Sequence, residues 1–303
     1  MTAFTAPQSY RADPVLLATA CGLVCIGLIA IASASIEYSD WHFDNPWHHT
    51  LRHGFYLLVA FAAAMVAYRI PLELWQRTSG LWLLLAFVLL LLVLVPGIGR
   101  NVNGSQRWLP MGPLTLQPSE FMKFALVLYL AGFLVRHTEA VKTHWHGLAK
   151  PVMVLAFVAL LLLLEPDFGA TVICAGTVFG MLFLAGARLH YVLLLIGVAV
   201  GGLAVMIFSA PYRLARLTAY TDPWQDPYGS GFQLIQSLIA FGRGEWLGVG
   251  LGNSIQKLFY LPEAHTDFVF SIWAEETGLV GSVGLIVVYC LLITRILQIG
   301  WRS

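Results

Sequence analysis

Eight stretches of this chain are too long, too apolar and too poor in charge to be the interior of a water-soluble domain. They run over Pro14–Ile36, Gly54–Ile70, Leu81–Val95, Ser119–Val135, Pro151–Leu164, Phe168–Gly186, His190–Ala210 and roughly Asp267–Ile299. An apolar helix of about 18 residues or more reaches across the hydrocarbon of a bilayer, where each backbone N–H and C=O must be satisfied within the segment. Hydrophobic residues make up 58% of the 303 residues and charged residues 11%, against about 25% charged in soluble domains. The mean hydropathy is +0.76. A soluble enzyme, a disordered tail and a secreted disulfide scaffold are all excluded. The expected fold is an all-α polytopic membrane protein of about eight transmembrane helices, forming one membrane domain over residues 1–303.

Leu81–Val95 and Pro151–Leu164 are short for spans, so their helices should extend into the flanking loops. The last run holds Glu275 and Glu276 and reads as a helix that begins in a polar setting and continues into lipid. Net charge is +1, which gives no bulk electrostatic attraction for nucleic acid. Cys21, Cys25, Cys174 and Cys290 all fall in apolar runs and read as small buried hydrophobes. Gly176-x-x-x-Gly180 and Gly197-x-x-x-Gly201 read either as close-approach points between helices or as ordinary membrane glycines.

Lys and Arg flanking the spans set the orientation. With the N-terminus inside, Arg11, Arg69, Arg77, Arg136, Lys142, Lys150, Arg188, Arg295 and Arg302 all lie inside. The short outside loops hold only Arg52, Arg100 and Arg107. Both ends are therefore expected in the cytoplasm of a plasma-membrane protein. The first 13 residues are polar and no small-residue cleavage site follows the first run, so that run reads as a retained anchor.

The outside connection Pro211–Thr266 is 56 residues long and rich in aromatics, with apolar pieces such as Leu234–Phe241. Long connections of this kind are functional or disordered, and amphipathic pieces at the membrane surface fit this one. A second polar outside loop spans Pro96–Gln117. Chemistry on that side has no ATP and must draw on energy already in the substrate.

Ionisable groups at membrane depth cost about 2.5–3.5 kcal/mol each at a helix centre. Glu120 and Lys123 share a helix face at i, i+3 and can pair, either to lock helices or to serve a site. Glu165-Pro166-Asp167 reads as a solvated turn or a functional one. Glu263, His265 and Asp267 converge where the long loop meets the last span. Asp267 there suits an N-cap or a general base in a partly desolvated cleft. Gly242, Gly244, Gly248, Gly250 and Gly252 match a phosphate loop only in glycine count. His42, His48, His49 and His53 match no zinc spacing, so they read as a wet loop and no metal site is assigned. Arg213, Arg216 and Lys257 are either interfacial cations or a clamp for a lipid-linked pyrophosphate.

Four segments resemble the SEDS (shape, elongation, division, sporulation) family, in its order and over nearly the whole chain. They are Gln117–Lys123, Glu165–Thr171, Asp226–Ser237 and Leu261–Phe268. The wording of Ala240–Gly252 and Lys257–His265 looks like the division branch rather than the elongation branch. The resemblance implies a peptidoglycan glycosyltransferase that polymerises lipid II at the septum, on the outer face of the inner membrane. Asp267 would be the essential aspartate, Glu120 and Lys123 the intramembrane pair, and Arg107-Trp108 the tryptophan loop. Gln233, Gln236, Ser237, Glu263 and His265 would line the substrate path. It also implies a class B penicillin-binding (FtsI-like) partner and the FtsQ–FtsL–FtsB complex. The leaving group would be undecaprenyl pyrophosphate, with Arg213, Arg216 and Lys257 opposing its charge and a divalent Mg or Mn able to share that role. Family members usually have ten spans, whereas this sequence ends at Arg302-Ser303 after the eighth. It is either trimmed or short of part of the cavity wall. Two rival classes share the intramembrane charge, a lipid II flippase and a non-catalytic divisome scaffold.

Overall fold

The computed structural model describes residues 13–102, 105–112, 114–208 and 218–302. Arg213 and Arg216 lie outside the described residues. The chain is built mainly of helices: α1 Pro14–Phe43, α2 His48–Arg69, α3 Leu72–Leu94, α4 Pro118–Arg136, α5 Thr138–Thr143, α6 His146–Leu164, α7 Phe168–Leu184, α8 Leu189–Phe208, α9 Phe232–Gly244 and α10 Val269–Arg302. Seven described helices are long and apolar enough to cross a membrane, and α7 is a shorter apolar one. Each of the eight expected runs lies on one of these eight helices. The two short runs lengthen as expected, to Leu72–Leu94 and His146–Leu164.

One feature adds to the all-α reading. Residues between α3 and α4 form a three-stranded antiparallel sheet of β1 Arg100–Val102, β2 Ser105–Met111 and β3 Leu114–Leu116, in that order. Trp108 pairs with Arg100, and Leu109 with Leu116.

Contacts divide the chain into two compact units, Met1–Ala64 with Ala210–Ser303, and Met65–Ser209. The second unit has a continuous apolar core. Leu83, Ala86 and Leu90 of α3 meet Met122, Leu126 and Leu130 of α4, with Val158 and Leu162 of α6 and Cys174, Val178 and Leu182 of α7. These positions recur at three- and four-residue steps, the stripe by which one helix face packs on another. Their opposite faces stay apolar and exposed, among them Leu84, Leu91, Val127, Phe157 and Ile173, as lipid-facing surfaces require. Gly176, Gly180, Gly197 and Gly201 have open space where a side chain would stand, so the close-approach reading does not apply to them. Of the four cysteines only Cys174 is buried. The other three sit on exposed parts of apolar helices, which corrects their reading as buried hydrophobes.

In the first unit α1 and α10 run antiparallel. At one end Asp13 caps α1 by accepting from the Leu16 N–H and pairs with Arg295 at 2.6 Å. That guanidinium holds the Asp13 carboxyl down to about 2. Toward the other end, Ser33 of α1 meets Glu276 of α10 at 2.7 Å.

Helix α10 is not one rod. Gly278 stands at φ 67°, ψ −166°, a conformation open essentially only to glycine. The break opens the helical ladder, and the loop after α9 fills it. The N–H groups of Leu279 and Val280 donate to the carbonyls of Glu245 and Trp246 at 2.9 and 3.1 Å. In return the carbonyls of Glu275 and Glu276 accept from Val249 and Gly250, each at 3.0 Å. Buried backbone groups must find partners, and here two chain segments exchange them pairwise. A Cβ at Gly248 would collide with the Glu276 carbonyl, and one at Gly278 with the backbone of Trp246 and Gly248. The glycine-rich stretch thus serves backbone approach.

Candidate functional site

The motif ending in Asp267 forms an irregular segment between the loop and α10. It opens with a short, broken turn at Gln256–Tyr260, in which Phe259 stands at φ 64°, and Glu263 follows at φ 56°. Non-glycine residues in this left-handed region are strained, and such strain persists only where the surroundings enforce it. The enforcement is visible. Leu261 and Ala264 pack on Ala34 of α1 and Ile272 of α10, with Phe268 and Val269 closing the cluster. The Glu263 carbonyl accepts from Thr266 and Phe268 at 3.1 and 3.2 Å, and its carboxylate accepts from the Thr266 hydroxyl at 2.7 Å.

Asp267 projects from this segment two residues before α10. Its side chain is exposed, and no hydrogen bond or ion pair engages it among the described residues. It accepts from no helix N–H, so the N-cap reading does not hold. The expected partly desolvated cleft is also corrected, because the carboxylate stands open. The arrangement presents a free proton acceptor on a braced backbone.

His265 is half-buried beside it. Its ring lies 4.4 Å from Tyr38 of α1 and 5.0 Å from His49 of α2, and the Ser39 hydroxyl sits 2.7 Å from His49 Nδ1. Burial pulls the His265 imidazole below its ordinary value, with Glu263 pulling the other way. The wet-loop reading of the histidines is therefore corrected: His48, His49 and His53 belong to α2 and are half-buried. No three His, Cys, Asp or Glu side chains converge to hold a metal ion among the described residues.

Lys257 is placed differently from a substrate clamp. Lys257 is 7% exposed, and its ammonium donates to Glu276 at 3.0 Å and to Ser33 at 3.1 Å. Its charge is already matched inside the protein. Ser237 is likewise buried, its hydroxyl 2.7 Å from that of Ser271, joining α9 to α10. Gln233 on α9 is exposed and Gln236 half-buried. The apolar side of α9, with Ile235 and Ala240 buried, gives the amphipathic piece expected around Leu234–Phe241. Sequence reasoning missed Glu275 and Glu276 as paired groups. Both are buried, Glu275 with Arg243 at 2.9 Å and Glu276 with Lys257 at 3.0 Å. The signal was two adjacent carboxylates in an apolar run.

The second unit carries its own polar groups. Lys123 donates to Glu120 at 2.7 Å across one turn of α4, as the spacing predicts. Glu165-Pro166-Asp167, between α6 and α7, is clasped by β2 rather than solvated. Arg107 Nε donates to the Glu165 carbonyl at 3.2 Å and its Nη2 to the Pro166 carbonyl, while the Ser105 hydroxyl donates to the Glu165 carbonyl at 2.7 Å. Trp108 is half-buried next to this clasp in β2. Asp167 caps α7 by accepting from Ala170 at 3.2 Å. Glu165 is 1% exposed, and neither of its buried carboxyl oxygens has a hydrogen-bond partner among the described residues. Burial, followed by the neighbouring Asp167 charge, pushes it up to about 8.

A polytopic helical membrane protein with an irregular carboxylate-bearing loop at the head of its last helix is the class defined by this fold. Residues 14–303 match the FtsW/RodA/SpoVE family of cell cycle proteins, and the chain belongs to that family as an integral membrane protein. A probable peptidoglycan glycosyltransferase FtsW of Legionella pneumophila is 51% identical over 291 residues, covering 96% of this chain and 74% of that protein. The corresponding protein of Hahella chejuensis is 52% identical over 295 residues, covering 97% and 74%. Among solved structures, a peptidoglycan synthase complex described as coordinating polymerization and crosslinking matches with TM-score 0.70 and 31% identity, over 94% of this chain and 77% of that one. The rod shape determining protein RodA of Thermus thermophilus matches with TM-score 0.61 and 25% identity, over 95% and 75%.

Proposed function

We infer that this chain is a peptidoglycan glycosyltransferase that polymerises lipid II into glycan strands, with Asp267 as its general base. The observation that carries the reading is the exposed, unbonded Asp267 carboxylate on a braced segment at the mouth of the last span. Membership of the family and relatives named as glycosyltransferases support it.

The donor sugar leaves with undecaprenyl pyrophosphate, so no ATP is required. Asp267 takes the proton of an acceptor sugar hydroxyl as that oxygen attacks the anomeric carbon opposite the pyrophosphate. A single in-line displacement inverts the anomeric centre, the stereochemical logic of inverting glycosidases. General-base catalysis contributes about 10²–10⁴ in rate, and positioning and charge stabilisation of the leaving group contribute the rest. Arg213 and Arg216 are assigned to the pyrophosphate from their place on the long loop; Lys257, neutralised by Glu276, is withdrawn from that role. Glu263 and His265 hold the shape of the Asp267 segment, and Gln233 and Gln236 offer polar contacts to the glycan. In the other unit, the Glu120–Lys123 pair and the Arg107–Trp108 hairpin are assigned contacts with the lipid-linked substrate. The described His, Cys, Asp and Glu side chains do not by themselves form a Mg or Mn cage.

The Lys and Arg distribution supports cytoplasmic ends and an outer-face site, and we place the protein at the division septum of the inner membrane. A class B penicillin-binding protein is the proposed partner, with the FtsQ–FtsL–FtsB complex as activator. Asp267→Asn, purified and incubated with lipid II, is expected to insert and fold normally yet make no glycan. Normal chain lengthening by that variant would remove Asp267 from the chemistry.

A further inference from the structure

The general base of the proposed reaction stands on a segment with two strained residues and few bonds of its own, so something must hold both of its stems. Those stems are the turn at Gln256 and Lys257 and the first turns of α10. The structure joins them through two buried carboxylates. Glu275, fully buried, accepts from four donors: Arg243 Nη1 at 2.9 Å, the Ile255 N–H at 3.1 Å, the Gln256 N–H at 3.3 Å and the Ser254 hydroxyl. Glu276, 2% exposed, accepts from Lys257, from Ser33 of α1 and from the Ser254 N–H at 3.5 Å. Ionised carboxylates are costly to take out of water, and two in succession are retained here only because seven groups satisfy them. Charge-assisted hydrogen bonds of this kind are short and directional. They fix where the stem sits as well as holding it.

We propose that Glu275 is a positioning residue of the polymerisation reaction: by binding the Ser254 hydroxyl, the 255–256 backbone and Arg243 at once, it sets the place of the Asp267 carboxylate. The Glu276–Lys257–Ser33 brace ties the same stem to α1. This inference rests on the general-base reading of Asp267 and adds to it the part of the fold that aims the base. Glu275 touches no reacting atom. It acts through the backbone it holds, and a misplacement of about 1 Å costs on the order of a hundredfold in rate.

The test uses the full chain reconstituted in liposomes with lipid II, following initial rates over a range of lipid II concentration. Glu275→Gln is expected to lower kcat roughly ten- to hundredfold with KM within about twofold, and Glu275→Asp to recover part of that loss. Amide hydrogen exchange across 254–268 should quicken in Glu275→Gln while that of the lipid-crossing part of α10 is unchanged. Ser254→Ala removes one donor to Glu275 and the acceptor of the Lys257 N–H, and carries the test should Glu275→Gln not fold. It is expected to lower kcat per folded molecule by about threefold or more, with a fall in melting temperature that leaves the protein folded at the assay temperature. Full kcat in Glu275→Gln or Ser254→Ala, or a loss of kcat only in proportion to lost folded protein, overturns the proposal. Asp267→Asn run in parallel separates the two ideas. If it is inactive while Glu275→Gln is fully active, only the positioning role fails. If it polymerises normally, the general-base reading beneath it fails.

Discussion

Glu165 makes a quantitative test of how the β-hairpin clasp is built. Its carboxyl is buried with both oxygens unpartnered and holds its proton up to about pH 8, against 4.5 in the unstructured chain. Between those values the unfolded chain has released the proton and the folded one has kept it. Stability therefore falls as pH rises from about 4.5 to about 8, and is flat above that. At 1.36 kcal/mol per unit, the wild type at pH 8 loses as much as about 5 kcal/mol relative to acid conditions. Glu165→Gln has the same shape and no proton to lose, so its stability should not slope through this window. Thermal unfolding of the purified chains in one detergent, from pH 4.5 to 8.5, reads the difference directly. The two proteins should melt together at the acid end, and the variant should melt higher by roughly 10 °C at the alkaline end. Parallel pH profiles, or a variant that is less stable at pH 8, would refute the view that Glu165 is an uncompensated buried carboxyl.

Three further outcomes follow from the same geometry. Gly278→Ala forces an L-residue into a glycine-only conformation against the Trp246 and Gly248 backbone, and should destabilise the chain by about 1–3 kcal/mol or more, seen as a lower melting temperature. Arg107→Ala strips donors from the Glu165 and Pro166 carbonyls and should cost about 1–3 kcal/mol, with faster hydrogen exchange confined to 165–170. His265 binds its proton less readily when folded than when unfolded, so its contribution to stability is present above its unfolded value near 6.5 and is lost as pH falls. His265→Phe should flatten that acid-side decline in a melting series, and an unchanged decline would sink the assignment.

The spans were legible because the physics that dictates them, apolar length without charge, is written residue by residue. Their ends were less so. Polar residues such as Gln76, Thr78 and Ser79 belong to the first turns of α3, where hydroxyls bond back to the helix at Gln76 and Leu74, and nothing apolar marks that continuation. The sheet at 100–116 was illegible. Its outer strands have three residues each and its central one contains Pro110, so local signals there favour a loop and only pairing makes strands. The Asp267 segment was recognisable as a site, yet its exposure was not, since burial belongs to the fold. The roles of Glu275, Glu276 and Lys257 depend on partners as distant as Ser33. No window of sequence brings those together.

The interruption at Gly278 gives the last helix two masters. Beyond it, Leu279 to Arg302 is a rod of about 36 Å, long enough for the hydrocarbon slab of about 30 Å, and it answers to lipid. Before it, the stub from Val269 to Thr277 is laced to the glycine-rich chain and answers to that. The same loop grips both sides of the break, Val249 and Gly250 holding the stub while Glu245 and Trp246 accept from Leu279 and Val280 at the head of the rod. A kink that would otherwise be a loose joint is thereby spliced, and the carboxylate upstream is referred to the rod through that splice.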